Sequence, residues 1–246
     1  MKSLYRPMEF IGIYMIRCKV MKYENIRKGI FLKRVNRFIA HVLINDKIEI
    51  CHVKNTGRCE EILINGNEVY VQEFDSDKRK TKFDLISVKK GNRLINIDSQ
   101  VPNKMFYEWV KEGNLFEDLK VLKSEVFYKN SRFDFYVEHL NKKVFVEVKG
   151  VTLENDNIVL FPDAPTSRGV KHLNELISAK QEGFDAYVVF IIQMNGVKHF
   201  TPNYKMHKEF GETLVKCKQN GVNIIAFDSY VSDDEIRIKN SVEVVL

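Results

Sequence analysis

The chain has 246 residues, of which 44% are hydrophobic and 29% charged, a mixture that excludes disordered and collagen-like classes. Its longest uninterrupted apolar run, residues 186–192, is far short of the roughly 20 residues that a membrane span needs. The net charge of +6 sits at the front: residues 1–100 carry 20 Lys+Arg against 12 Asp+Glu, residues 101–246 carry 19 against 21. No membrane partner is expected, and with no secretory leader pattern at the N-terminus the expectation is a soluble, cytoplasmic protein. A basic front half suggests a polyanion, although overuse of lysine would leave the same trace. Cys18, Cys51, Cys59 and Cys217 form no C-x-x-C pair, which excludes a disulfide scaffold and zinc-ligand spacing.

In chain order, residues 10–16, 30–32, 38–44, 48–53, 68–72 and 83–88 alternate with the period of two expected of strands. Asn45-Asp46-Lys47 and Asn65-Gly66-Asn67 supply turns, and residues 59–63 read as a short helix. Five or six short strands within residues 1–90 predict a small β-barrel of the OB type; an SH3-like barrel would look similar. The junction is expected within residues 89–100.

From Pro102 the rhythm changes. Met105, Phe106, Trp109 and Val110 recur at helical spacing, and Gly113 stops them. Strands are expected at 119–128, 133–137 and 144–148, a helix at 168–182 with Leu173, Leu176 and Ile177 as its apolar stripe, and a doubly buried strand at 186–194. A third helix (207–219) and a strand (223–227) follow. Residues 91–246 therefore read αβββαβαβ, and the whole chain is a mixed α/β protein of two domains.

The chemistry concentrates in Ser131-Arg132-Phe133-Asp134-Phe135 and Val146-Glu147-Val148-Lys149-Gly150. A two-residue turn at Asn141-Lys142 would set Leu140 opposite Lys143 and Asp134 opposite Lys149. Asp134, Glu147 and Lys149 then share one face, and Phe135, Val137, Val146 and Val148 the other. Two carboxylates offer hard oxygen ligands for Mg²⁺ or Mn²⁺, and a neighbouring lysine can orient a water. An acid on one strand followed by Glu-x-Lys on the next is the PD-(D/E)xK nuclease pattern, within the αβββαβ order that such domains share. Glu108 on the preceding helix is a further candidate metal ligand and equally a solvated position; Glu125 is weaker.

Downstream, Phe161-Pro162-Asp163-Ala164-Pro165-Thr166-Ser167-Arg168-Gly169-Val170-Lys171-His172-Leu173 places Arg168, Lys171 and His172 in the first turns of a helix capped by Thr166 or Ser167. Cations at a helix N-terminus oppose its dipole, which points to a phosphate held there; a surface turn with Lys171 paired to Glu175 is the alternative. His172 reads as an acid–base group or as a hydrogen-bonded spacer. In the front domain Arg34, Arg37, Asn55 and Arg58, with Lys54, Thr56 and Gly57, are suited to phosphate or base contacts, or to an Asx turn. Arg132 joins this basic set.

These motifs, with His52-Val53-Lys54-Asn55-Thr56-Gly57-Arg58 and Val151-Thr152-Leu153, resemble the sugar fermentation stimulation protein A (SfsA) family over nearly the whole length. The resemblance implies an N-terminal OB-like domain joined to a restriction-endonuclease-like domain, with DNA binding. It implies that Asp134, Glu147 and Lys149 hold the catalytic motif positions, that Glu108 is the upstream helix acid and that the Val148 carbonyl is a further metal contact. Members often carry an acid where this chain has Lys205-Met206-His207-Lys208, so substrate or partner handling is expected to differ there. The expected function is metal-dependent hydrolysis of nucleic acid, DNA ahead of RNA. The alternative is a non-catalytic DNA-binding regulator of sugar-utilisation genes. A homodimer would suit cleavage of two strands.

Overall fold

The computed structural model describes residues 20–76 and 78–246; the strand expected at 10–16 lies outside them. After β1 (Met21–Lys22) come β2 (Ile26–Asn36), β3 (Ile39–Ile44), β4 (Lys47–Val53), β5 (Glu68–Glu73), β6 (Phe83–Lys90) and β7 (Arg93–Asn96). Strands β2 to β6 close a five-stranded barrel. Four antiparallel pairs are sealed by a parallel β4–β6 pair, Cys51↔Phe83 to Val53↔Leu85. Alternation builds its interior: on β3, Ala40, Val42 and Ile44 are buried while Ile39, His41 and Leu43 face outward. Asn45 and Asp46, both at positive φ, make the two-residue turn between β3 and β4. Residues 59–63 form a single turn in place of the expected helix, with the Ile62 and Leu63 amides both donating to the Cys59 carbonyl. β7, not foreseen, hairpins back from β6 within residues 89–100.

The second half contains α1 (Val101–Lys111), β8 (Leu119–Tyr128), β9 (Ser131–His139), β10 (Lys142–Val151), β11 (Glu154–Asn155), β12 (Ile158–Phe161), α2 (Ser167–Gln181), β13 (Asp185–Ile192), β14 (His199–Pro202), α3 (Lys208–Gln219), β15 (Asn223–Val231) and β16 (Glu235–Val244). Its mixed sheet runs β11-β12-β14-β16-β15-β13-β10-β9-β8, with β1 added to β16. The expected αβββαβαβ order is present. β11, β12, β14 and β16 add to it; they are short or carry charges among their apolar residues.

Helix α1 covers one face, packing Met105, Phe106, Trp109 and Val110 on Phe135, Val137, Val146 and Val148. Helices α2 and α3 cover the other, where Leu173, Leu176, Phe210 and Leu214 join the cluster containing Phe133, Phe145, Val188 and Phe190. β13 sends Val189 and Ile191 to the first layer and Val188, Phe190 and Ile192 to the second, hence its unbroken apolar run. The barrel core is continuous with the second layer. Between the two halves, buried Glu154 binds Lys90 (2.8 Å) and Arg93 (2.9 Å), and Gln193 donates to Asn96 Oδ1 and the Asp98 carbonyl, each at 3.0 Å.

Candidate metal and nucleic-acid site

The β9–β10 hairpin differs in register from the expectation. Its turn is Leu140-Asn141, both at positive φ, and His139 faces Lys142. The slip is of two residues, so every side chain keeps its face. Asp134 now falls beside Glu147 and no longer opposite Lys149. The ladder stops at Phe135↔Val146, and the next N–H of β10 on that side, Val148, donates to Asp134 Oδ2 at 2.8 Å. Asp134 thus satisfies an amide that the departing strand leaves unpaired. Asn103, in the first turn of α1, donates to its other oxygen at 2.8 Å. Nothing in the sequence marked Asn103 beyond its place after Pro102.

Glu147 is 2% exposed. Its Oε1 accepts from Lys149 Nζ and from His172 Nδ1, both at 2.5 Å, while Oε2 is buried with no protein partner. Burial, with Glu147 alongside, pushes the Asp134 carboxyl above its ordinary range despite the Val148 amide and Lys149. Burial works against the Glu147 carboxylate too, but His172 and Lys149 outweigh it and hold that carboxyl below its usual value. Two adjacent carboxylates therefore differ in proton affinity, and the lower one carries the open oxygen.

The expected residues divide clearly. Asp134, Glu147 and Lys149 come together; Val148 meets them through its N–H. Glu108 lies half-buried on α1, and among the described residues no three His, Cys, Asp or Glu side chains converge as a metal cage. Glu125 faces solvent and pairs with Arg132 at 3.2 Å. His172, expected among the nucleic-acid contacts, is instead buried against Glu147, because α2 turns it inward with Leu173 and Leu176. Arg34 is likewise a structural residue: its guanidinium donates to the carbonyls of Arg37, Asn55, Gly57 and Arg58, each at 2.6 Å. Asn55 is buried; it accepts from Gly57 N (2.7 Å) and donates to the Ile97 carbonyl (3.0 Å), the Asx turn of the alternative reading. Lys54 is bound to Asp84 and Asp98. Arg37, Arg58, Arg132, Arg168 and Lys171 remain exposed, with Lys171 donating to the Asn130 carbonyl at 2.6 Å and standing 3.9 Å from Glu175.

At the end of β10, next in sequence to Lys149, a cleft of about 300 Å³ opens between barrel and sheet domain, lined by Thr56, Gly57, Gly150, Thr152, Asp163 and Gln193, among others. On both walls a side chain closes in on a glycine. A Cβ on Gly57 would lie 2.2 Å from Asp163 Oδ2, and one on Gly150 2.7 Å from Gln193 Oε1. The cleft had no signature in the sequence, since it joins segments from both halves.

Two family models divide the chain at the cleft: the SfsA N-terminal OB domain over residues 32–97, and the sugar fermentation stimulation protein RE domain over 100–235. The sugar fermentation stimulation protein homolog of Clostridium beijerinckii is 61% identical over 226 residues, 92% of this chain and all of the relative. That of Ruminiclostridium cellulolyticum is 57% identical over the same shares. Among solved structures, Pyrococcus furiosus SfsA in complex with Ca²⁺ superposes with a TM-score of 0.85 at 30% identity, covering 93% of this chain and 99% of that one. With both domain models in order on the barrel and the sheet domain, and relatives matched along their full length, the chain belongs to the sugar fermentation stimulation protein (SfsA) family.

Proposed function

We propose that this protein is a divalent-metal-dependent nuclease, hydrolysing phosphodiester bonds in nucleic acid, with DNA ahead of RNA. The observation that carries the reading is the Glu147 Oε2 atom, buried without a hydrogen bond beside a second carboxylate. Leaving a charged acceptor unsatisfied costs about 1–3 kcal/mol or more, and a purely structural carboxylate would not be left with an open oxygen in the neighbourhood of a second acid. A hard cation fits that donor set; the Ca²⁺ carried by the Pyrococcus furiosus relative supports the same chemistry here.

Asp134 and Glu147 would hold Mg²⁺ or Mn²⁺. Such an ion neutralises charge on the phosphate and acidifies a bound water. Lys149 lies next to Glu147 and orients the attacking water, its ammonium offsetting the charge that builds on the phosphoryl oxygens. Arg168 and Lys171, exposed at the start of α2, grip a flanking phosphate. Arg37, Arg58 and Arg132 extend the positive surface along which the polymer backbone lies.

The test is cleavage of labelled single-stranded DNA, duplex DNA and RNA in EDTA, Mg²⁺ or Mn²⁺, with wild type beside Glu147→Ala. Metal-dependent cutting that the variant loses is the expected result. Equal cutting by Glu147→Ala would remove this site from the chemistry. Salt-sensitive binding with no cutting of any polymer would leave the non-catalytic regulator.

A further inference from the structure

We infer that His172 is the positioning residue of this site: by binding Glu147 Oε1 it turns the carboxylate so that Oε2 is the oxygen presented to the divalent ion. The inference rests on the reading of Glu147 as a metal ligand and deepens it.

His172 is 4% exposed on α2, and its ring stands edge-on to Phe133, with centroids 6.2 Å apart and planes at 78°. Packing therefore fixes the imidazole plane. The Nε–H of Arg168, one helical turn earlier, points at His172 Nε2 over 3.4 Å. A carboxylate oxygen only accepts, so His172 Nδ1 is the donor of the 2.5 Å bond to Glu147 Oε1.

A glutamate carboxylate rotates about its terminal torsion with a broad, nearly two-fold preference. Its two oxygens are interchangeable unless the surroundings distinguish them. Here they do: Lys149 and His172 both converge on Oε1, and Oε2 receives no hydrogen bond. Lys149 cannot set the plane by itself, because an ammonium on a flexible stem donates in any direction. The rigid, buried imidazole can. Arg168 also reaches from the exposed start of α2 to this buried pair, so the side chain assigned to a flanking phosphate touches the residue that orients the metal ligand.

The experiment measures Mn²⁺ affinity of the full metal-free chain by titration, with thermal unfolding as a check of folding. The informative pair is His172→Asn and His172→Gln. The Asn amide places an N–H where Nδ1 was; the Gln amide places it where Nε2 was, away from Glu147. His172→Asn is expected to stay within a few-fold of wild type, and His172→Gln and His172→Phe to bind Mn²⁺ about 10–100-fold more weakly, the usual effect of losing a residue that orients a ligand. Equal affinities for the Asn and Gln variants, or wild-type affinity in a folded His172→Phe, would overturn the positioning role. Glu147→Gln separates the two levels: wild-type Mn²⁺ affinity in that variant would overturn the metal-ligand reading itself.

Discussion

Four backbone carbonyls from two loops accept hydrogen bonds from the single guanidinium of Arg34, and this fork holds the Asn55-Thr56-Gly57-Arg58 turn against the β2–β3 connection. Lysine cannot reproduce it, having three donors on a flexible stem. Arg34→Lys is expected to lower stability by about 2 kcal/mol in urea unfolding. Arg58 sits on the same turn but is exposed, so Arg58→Ala is expected to leave stability within about 0.5 kcal/mol while weakening nucleic-acid binding and flattening its salt dependence. An unchanged unfolding midpoint for Arg34→Lys would return Arg34 to the nucleic-acid surface. In sequence these two arginines look alike. Their roles part because β2 carries Arg34 beneath the turn, whereas Arg58 points away from it.

At the scale of the element, the β9–β10 hairpin sets the spacing of the two carboxylates. Its turn places Leu140 at a φ of 42° and Asn141 at 62°. Asn tolerates the left-handed region; leucine pays about 1–2 kcal/mol for it. Leu140 is 49% exposed, so little packing is lost when it is replaced. Leu140→Gly is expected to stabilise the protein by about 1 kcal/mol, read as a higher urea midpoint at unchanged m. A lower midpoint would mean that Leu140 packs against something outside the hairpin. The turn expected from sequence began one residue later, since Asn141 was taken to open it. The faces still came out correctly because a two-residue slip matches the side-chain period.

For the whole molecule, the junction between barrel and sheet domain is polar and buried. Glu154 joins Lys90 and Arg93 across it. Burial works to raise the Glu154 carboxyl, but Lys90, the Asn157 amide and Arg93 hold it below its ordinary range. A carboxyl depressed in the folded state contributes stability above its unfolded value, 4.5, and loses that contribution as pH falls through the folded value. Glu154→Gln is expected to cost about 1.5–3 kcal/mol at pH 7, with the difference from wild type closing below pH 4.5. Parallel pH–stability curves for the two proteins would show that the pair contributes nothing to the junction. The cleft at Gly150 lies between the two halves, so the same variant reports on whether domain docking supports the site. Among the described residues no helix is long and apolar enough to cross a membrane.

Period-two alternation in the front half and the helix–strand order behind it sufficed for the sequence to determine a closed barrel followed by αβββαβαβ, because burial on one face or both is written directly into residue spacing. The acid and the Glu-x-Lys of the motif were legible for the same reason, as residues sharing a strand face. Tertiary structure decided the rest. The register of Asp134 against Glu147 depends on which two residues absorb positive φ, and the strands β11, β12, β14 and β16 exist only where neighbours pair with them. Burial of His172 depends on how α2 lies on the sheet, and the cleft requires two distant segments to meet. Which oxygen of Glu147 stays open is set by donors from β10 and α2 together, Lys149 and His172, 23 positions apart along the chain. Spacing reports what one element buries, and only packing reports what two elements place against each other.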